Sequence, residues 1–176
     1  APRLKWSGAW KNSRHATVSS SPACSRATVV EESWQAWFDG AALPNPGKIG
    51  IGVLLIAPDG RREEKSLLLD CSGCNNEAEL RALCAALDMA ATAGACQLVL
   101  RGDSDVALRY VRGPESTQIV RLCLLVAAAR ERLRRFDEVQ LIWIPRHRNG
   151  DADRLSRQAL GLPPGPADIA GSRRRR

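Results

Sequence analysis

An apolar run that closes on a single acid and is then broken by two prolines and two glycines constrains this chain more than any other stretch. It reads Trp37-Phe38-Asp39-Gly40-Ala41-Ala42-Leu43-Pro44-Asn45-Pro46-Gly47. A carboxylate at the end of a buried strand is costly to desolvate unless a metal or a cation compensates it. Gly40 lets another backbone or a ligand come close, and Pro44 to Gly47 forces a turn before the next apolar run. A second acid at the same place would make that compensation obligatory.

The elements that follow can be read in order. Trp34 to Phe38 is a short strand ending at Asp39, Ile49 to Ala57 is a second, and Pro58-Asp59-Gly60 turns into a third over Arg61 to Leu69. Asn75-Asn76 supplies a helix N-cap, and Leu80, Leu83, Cys84, Leu87 and Ala91 recur at helical spacing up to the stop at Gly94. Gln97 to Leu100 is continuously apolar after its first residue, as a strand in a parallel sheet is, and Asp103 or Ser104 caps a short helix through Val111. Gly113-Pro114-Glu115 opens another helix with Ile119, Leu122, Val126, Ala129, Leu133 and Phe136 on one face. Val139 to Ile144 is the fifth strand, and Asn149 caps a last helix ending at Gly161. The order βββαβααβα predicts an α/β fold: a mixed five-stranded sheet, antiparallel strands first and parallel strands after, flanked by helices.

Charge divides the chain into three. Residues 1–33 are Ser- and Ala-rich, and the first thirty carry five basic residues and no acid; they read as a disordered basic arm. Residues 34–161 form the folded domain, and 162–176 a Pro/Gly-rich tail ending in Arg173-Arg174-Arg175-Arg176. Residues 1–30, at +5, and Arg173–Arg176, at +4, together exceed the net charge of +7, so the stretch between them is near −2. Basic arms around such a core suggest a polyanionic partner, although solubilising tails look similar. Trp6 and Trp10, beside Lys5 and Lys11, have the composition of a base-stacking pair. No apolar run reaches the ~18 residues of a membrane helix, and no signal-peptide core is visible. With six cysteines and no secretory signal, a reduced cytoplasmic setting is expected, an organelle transit peptide being the alternative for the first thirty residues. Cys71-Ser72-Gly73-Cys74 has the spacing of a zinc or redox pair but lacks a second pair, so a strand-to-helix turn explains it better.

Four acids fall at comparable places. Asp39 ends the first strand, Asp103 follows the fourth, Glu79 edges the core stripe of the first long helix, and Asp153 does the same in the last. Ligand sites in such sheets form at the carboxyl ends of neighbouring strands. Carboxylates converging there cannot all stay ionised without divalent cations. Oxygen-only ligands suit Mg²⁺ or Mn²⁺ over Zn²⁺, and two ions ~3.5–4 Å apart make the clamp used for phosphodiester hydrolysis. Asp105 could stand in for Asp103 and Asp151 for Asp153, while Glu77 should point to solvent.

Over roughly Trp34 to Leu160 the chain resembles the type 1 ribonuclease H family. The likeness rests on Phe38-Asp39-Gly40 with Asn45-Pro46-Gly47, Asn75-Asn76-Glu77-Ala78-Glu79-Leu80, Gly102-Asp103-Ser104, and Asn149-Gly150-Asp151-Ala152-Asp153-Arg154-Leu155-Ser156. The resemblance implies an endonuclease that cuts the RNA strand of an RNA–DNA hybrid with two Mg²⁺ ions, Mn²⁺ being an alternative, and leaves 3′-hydroxyl and 5′-phosphate ends. It implies Asp39, Glu79, Asp103 and Asp153 as metal-binding catalytic carboxylates and His147 as a loop histidine aiding proton transfer or product release. It further implies Gly40, Asn45, Asn76 and Asn149 as substrate contacts. The basic handle of the best-known bacterial form is missing, and Arg130 to Arg135, with Arg130 and Arg134 foremost, are expected to substitute as a phosphate-binding face. A monomer without membrane or obligate protein partner is expected. The alternatives are a retroelement or DNA-cutting relative of the same fold and a non-catalytic nucleic-acid-binding protein.

Overall fold

The computed structural model describes residues 3–4, 33–113, 117–163 and 165. Its elements are β1 (Arg3–Leu4), β2 (Trp34–Leu43), β3 (Gly47–Ile56), β4 (Arg62–Gly73), α1 (Asn75–Thr92), β5 (Gln97–Gly102), α2 (Asp105–Arg112), α3 (Val120–Leu133), β6 (Glu138–Trp143), a 3₁₀ turn (Arg146–Arg148) and α4 (Gly150–Ala159). The five long strands and four helices follow the expected order. The sheet runs β1-β6-β5-β2-β3-β4, with β2, β3 and β4 antiparallel and β5 and β6 parallel to β2. The extra strand is the two-residue β1, paired with Glu138 and Val139 at the sheet edge, inside the segment expected to be a free arm. The helical readings that depended on residues 114–116, and the Trp6 and Trp10 reading, lie outside the described residues.

One face of the sheet packs on α1, and α3 packs on α1 in turn. Ala36, Phe38, Ile51, Val53, Leu98 and Leu100 meet Leu80, Leu83, Leu87, Leu122 and Phe136 in the main core. α4 lies against the opposite face, over β3 and its neighbours. None of the described helices is long and apolar enough to cross a membrane.

Two boundaries differ from expectation for a shared reason, the reach of sheet pairing. β2 does not end at Asp39: its parallel partner β5 stops pairing at Trp37, but antiparallel pairing with β3 carries it on to Leu43. β4 likewise continues through Cys71, Ser72 and Gly73, so the cysteine spacing spans a strand end and a helix cap. The α1 N-cap is Cys74, not Asn75 or Asn76. Glu77 closes the cap by accepting a hydrogen bond from the Cys74 backbone N–H at 2.8 Å. Glu77 is therefore buried, not solvated, and its carboxylate also pairs with Arg121 at 3.1 Å.

Two glycines bracket Asp39, one for each face of the sheet. A Cβ at Gly40 would lie 2.2 Å from the Ala78 carbonyl carbon and 2.5 Å from the Glu79 nitrogen, so the glycine lets the α1 backbone rest directly on β2. Gly52, the cross-strand partner of Asp39, does the same for α4, with Ala152 O at 2.2 Å and Ser156 N at 2.5 Å. The Gly40→Ala variant is expected to lose on the order of 2–3 kcal/mol in urea unfolding, because two backbones must separate to admit the methyl group.

Candidate metal centre

The topology explains how distant acids meet. The last parallel pair between β2 and β5 is Trp37 with Arg101, whose guanidinium stacks 4.9 Å from the Trp37 ring centroid. Two residues further along each strand's chain, just past the last paired rung, come Asp39 and Asp103, at the carboxyl end of the parallel strands. α1, seated on Gly40, brings Glu79 to the same end. One carboxylate oxygen from each of Asp39, Glu79 and Asp103 lies within 4.8 Å of the others. Asp105 and Asp151 are exposed and pair elsewhere, with Arg109 at 2.9 Å and Arg62 at 3.5 Å respectively.

Each of the three acids is held by a donor belonging to the fold. The Ser156 hydroxyl donates to Asp39 Oδ2. Asn149 Nδ2 donates to Asp103 Oδ1 at 2.7 Å and to the Phe38 carbonyl at 2.9 Å. The Gly40 backbone N–H bonds the Glu79 carboxyl, while Glu79 Oε2 is buried without a hydrogen-bond partner among the described residues. Trp143 Nε1 donates to the Asp103 carbonyl at 3.1 Å and fixes the backbone there.

Asp153 stands on the flank of this group. It is buried, and its Oδ1 accepts a 2.7 Å hydrogen bond from Arg146, so it faces a cation instead of completing the three-carboxylate group. The 3₁₀ turn thus sends Arg146 to the site. His147 is exposed and lines a surface groove with Trp37, Leu54, Arg62 and Asp151, a placement that gives it no contact with the clustered carboxylates.

The electrostatics carry the strain of the cluster. Burial pushes the Asp39 carboxyl up to about 6; the Ser156 hydrogen bond opposes the shift, and Asp103 and Asp153 add to it. Burial, reinforced by Asp39 and Asp103, holds Glu79 well above the usual carboxylate range. A buried acid oxygen without a partner, within reach of two further carboxylates, fits a divalent cation with oxygen ligands and does not fit a thiolate or imidazole metal.

Several expected substrate contacts have structural work instead. Gly40 is filled from above by α1, not left open for a ligand. Asn45 accepts from the Asn75 backbone N–H at 3.1 Å and ties the turn to α1. Asn149 is 1% exposed, so it orders Asp103 from inside the protein and does not face solvent. Asn76 remains exposed at the start of α1. Arg130 donates to the Tyr110 and Gly113 carbonyls, Arg134 pairs with Glu131 at 2.7 Å, and Arg132 and Arg135 both hold Asp88. The arginines of α3 and its end are thus partnered within the fold. Ser156 and Arg146 were not foreseen. Ser156 left a signal, a polar residue on the stripe that Ala152 and Leu155 bury, and such a group needs a partner.

The reverse transcriptase-like family matches residues 37–159. The chain is 37% identical over 125 residues to ribonuclease HI of Halobacterium salinarum, covering 71% of this chain and 63% of that protein. It therefore spans less than two thirds of that relative's length. The crystal structure of RNase H1 from the same archaeon superposes with a TM-score of 0.70 at 36% identity, over 73% of this chain and 98% of that one. LC11-RNase H1, isolated from compost by a metagenomic approach and solved in complex with an RNA/DNA hybrid, gives a TM-score of 0.59 at 27% identity, over 73% and 97%.

In the metal-free protein the raised Asp39 value fixes the sign of a pH effect. The fold favours the protonated carboxyl, so this contribution is full below the ordinary value of 3.8 and is lost as pH rises through about 6. The difference is on the order of 3 kcal/mol at most. Thermal melts in EDTA are expected to show the Asp39→Asn variant more stable than wild type at pH 7.5 and equal to it near pH 4. Added Mg²⁺ should raise the wild-type melting temperature and leave that of the variant unmoved.

Proposed function

Since the chain belongs to the reverse transcriptase-like family in its ribonuclease HI-like form, we propose that it is a ribonuclease H, an endonuclease that hydrolyses the RNA strand of RNA–DNA hybrids. The observation that carries this reading is the convergence of Asp39, Glu79 and Asp103 at the carboxyl end of the parallel strands, with one Glu79 oxygen buried and without a hydrogen bond among the described residues. The reading of RNA–DNA hybrid as substrate is supported by the hybrid bound to LC11-RNase H1.

Asp39, Glu79 and Asp103 would hold the cofactor, Mg²⁺ with Mn²⁺ as an alternative, and Asp153 would join them from the flank. When bound, a pair of such ions supplies Lewis-acid activation of the attacking water and stabilisation of the leaving 3′-oxygen. The chain contributes preorganisation. Ser156, Asn149 and the Gly40 amide each engage one carboxyl group, so ligand oxygens are already oriented before substrate arrives. Arg146 pairs with Asp153 and interacts favourably with Asp39 and Asp103, and would add positive charge beside a phosphate held at the carboxylates. Asn76, exposed beside the site at the start of α1, is the residue of the second motif free to read a 2′-hydroxyl. The cytoplasmic setting and a monomeric enzyme acting without a protein partner complete the reading.

Labelled RNA–DNA hybrid, duplex DNA and duplex RNA, each with Mg²⁺ or Mn²⁺, test it. Cleavage confined to the RNA strand of the hybrid, with 3′-hydroxyl and 5′-phosphate products, is expected. The Asp103→Asn variant should lose at least ~10²-fold in rate. Retention of hybrid without product under either metal would overturn catalysis in favour of a binding protein.

A further inference from the structure

Val139, Leu141 and Trp143 alternate along β6 and share one face of the sheet. The first two are 2% and 7% exposed and belong to the main core, whereas Trp143, the largest of the three, is 49% exposed. Among the described residues it is the one aromatic in the set of exposed large apolar side chains. Leaving that much apolar surface in water is unfavourable, and the core closes at Leu141 without it.

The ring is nevertheless held in place. Trp143 closes the parallel ladder opposite Gly102, one residue before Asp103, and its Nε1 donates to the Asp103 carbonyl at 3.1 Å. The Ile144 backbone N–H adds a bond to the Gly102 carbonyl at 3.0 Å. With the single polar atom of the indole engaged by the protein, what the side chain offers outward is apolar ring. Neighbouring strands lie ~4.8 Å apart, and β6 is next to β5 and two places from β2. This surface therefore stands one strand spacing from Asp103 and about two from Asp39, along the carboxyl end of the sheet. A duplex advances ~3.4 Å per nucleotide along each strand. A phosphate held at the carboxylates thus brings the sugars of its flanking nucleotides within reach of the ring, and an A-form duplex displays those sugars in a wide, shallow minor groove.

We propose that Trp143 is a substrate-contact residue, its fixed indole face packing on the sugar of a duplex nucleotide that flanks the phosphate at the carboxylates. The contact deepens the ribonuclease reading and rests on it for the position of that phosphate. Being apolar, it adds affinity without adding to the salt dependence that cationic contacts to phosphates confer.

The test is hybrid binding by the full chain in EDTA, where no cleavage occurs, followed by fluorescence anisotropy from about 50 to 200 mM salt. Wild type is compared with Trp143→Phe, which keeps an aromatic face and loses the N–H, and Trp143→Ala, which loses both. Trp143→Ala is expected to bind about fivefold or more weakly with an unchanged salt slope, and Trp143→Phe to recover most of the affinity. In cleavage with Mg²⁺ the alanine loss is expected to fall mainly on KM. Fluorine NMR of protein carrying 5-fluorotryptophan reads the ring directly: the signal absent from Trp143→Phe is expected to shift on saturation with hybrid. Wild-type affinity in Trp143→Ala, or a Trp143 signal unmoved by bound hybrid, would overturn the contact while cleavage of the hybrid still upheld the ribonuclease reading. Equal weakening by phenylalanine and alanine would overturn it in favour of a ring that only positions Asp103 through its N–H. Hybrid bound with the expected ring signature but left uncleaved in Mg²⁺ or Mn²⁺ would count against the ribonuclease reading and leave the contact standing.

Discussion

Three acids that cannot comfortably share one buried place are the constraint around which this protein is arranged. Asp39, Glu79 and Asp103 approach within 4.8 Å, and burial together with mutual repulsion raises the first two. A fold left to itself would spread such groups apart or neutralise them. Here the sheet register and two helix contacts hold them together. Gly40 and Gly52 remove the side chains that would keep α1 and α4 off the strands, one on each face of Asp39. The cluster is a local weakness that rigid packing maintains and that a divalent cation relieves.

The donors around the cluster give that rigidity its chemical direction. A serine hydroxyl, a buried asparagine amide and a backbone N–H each engage a different carboxyl group. All three come from elements whose positions are set by the main core or by the glycine contacts. Asn149 also bonds the Phe38 carbonyl, so a single side chain ties the start of α4 to β2 and to Asp103. The basic side is equally local. Arg146 neutralises Asp153 from a three-residue turn, while the arginines at the end of α3 stabilise α1 through Asp88.

Much of this was legible in the chain itself, and the misses have specific physical causes. Strand and helix order followed from periodicity and turn residues, and of the four acids picked out by their places in those elements the structure brings Asp39, Glu79 and Asp103 together. Asp39 was misplaced to a strand end because an apolar run cannot reveal that one neighbour stops pairing while the other continues. Glu77 was given to solvent because helical spacing alone does not show that a side chain folds back to cap its own first turn. Gly40, Asn45 and Asn149 were read as facing a ligand, although helix approach and internal hydrogen bonds use all three. Arg146 was not singled out, because adjacent residues of a turn point in different directions and sequence does not say which one reaches Asp153.

The hydroxyl beneath Asp39 comes from a residue 117 positions further along the chain. The centre is therefore closed by the last helix among the described residues. Any partly folded form in which α4 has not docked lacks Ser156, Asn149 and Asp153 together, and its remaining acids are neither oriented nor completed. Local opening of that one helix would disable the site while leaving the main core intact. A centre built this way is incomplete until its fold is whole, and loosening a single amphipathic segment suffices to undo it again.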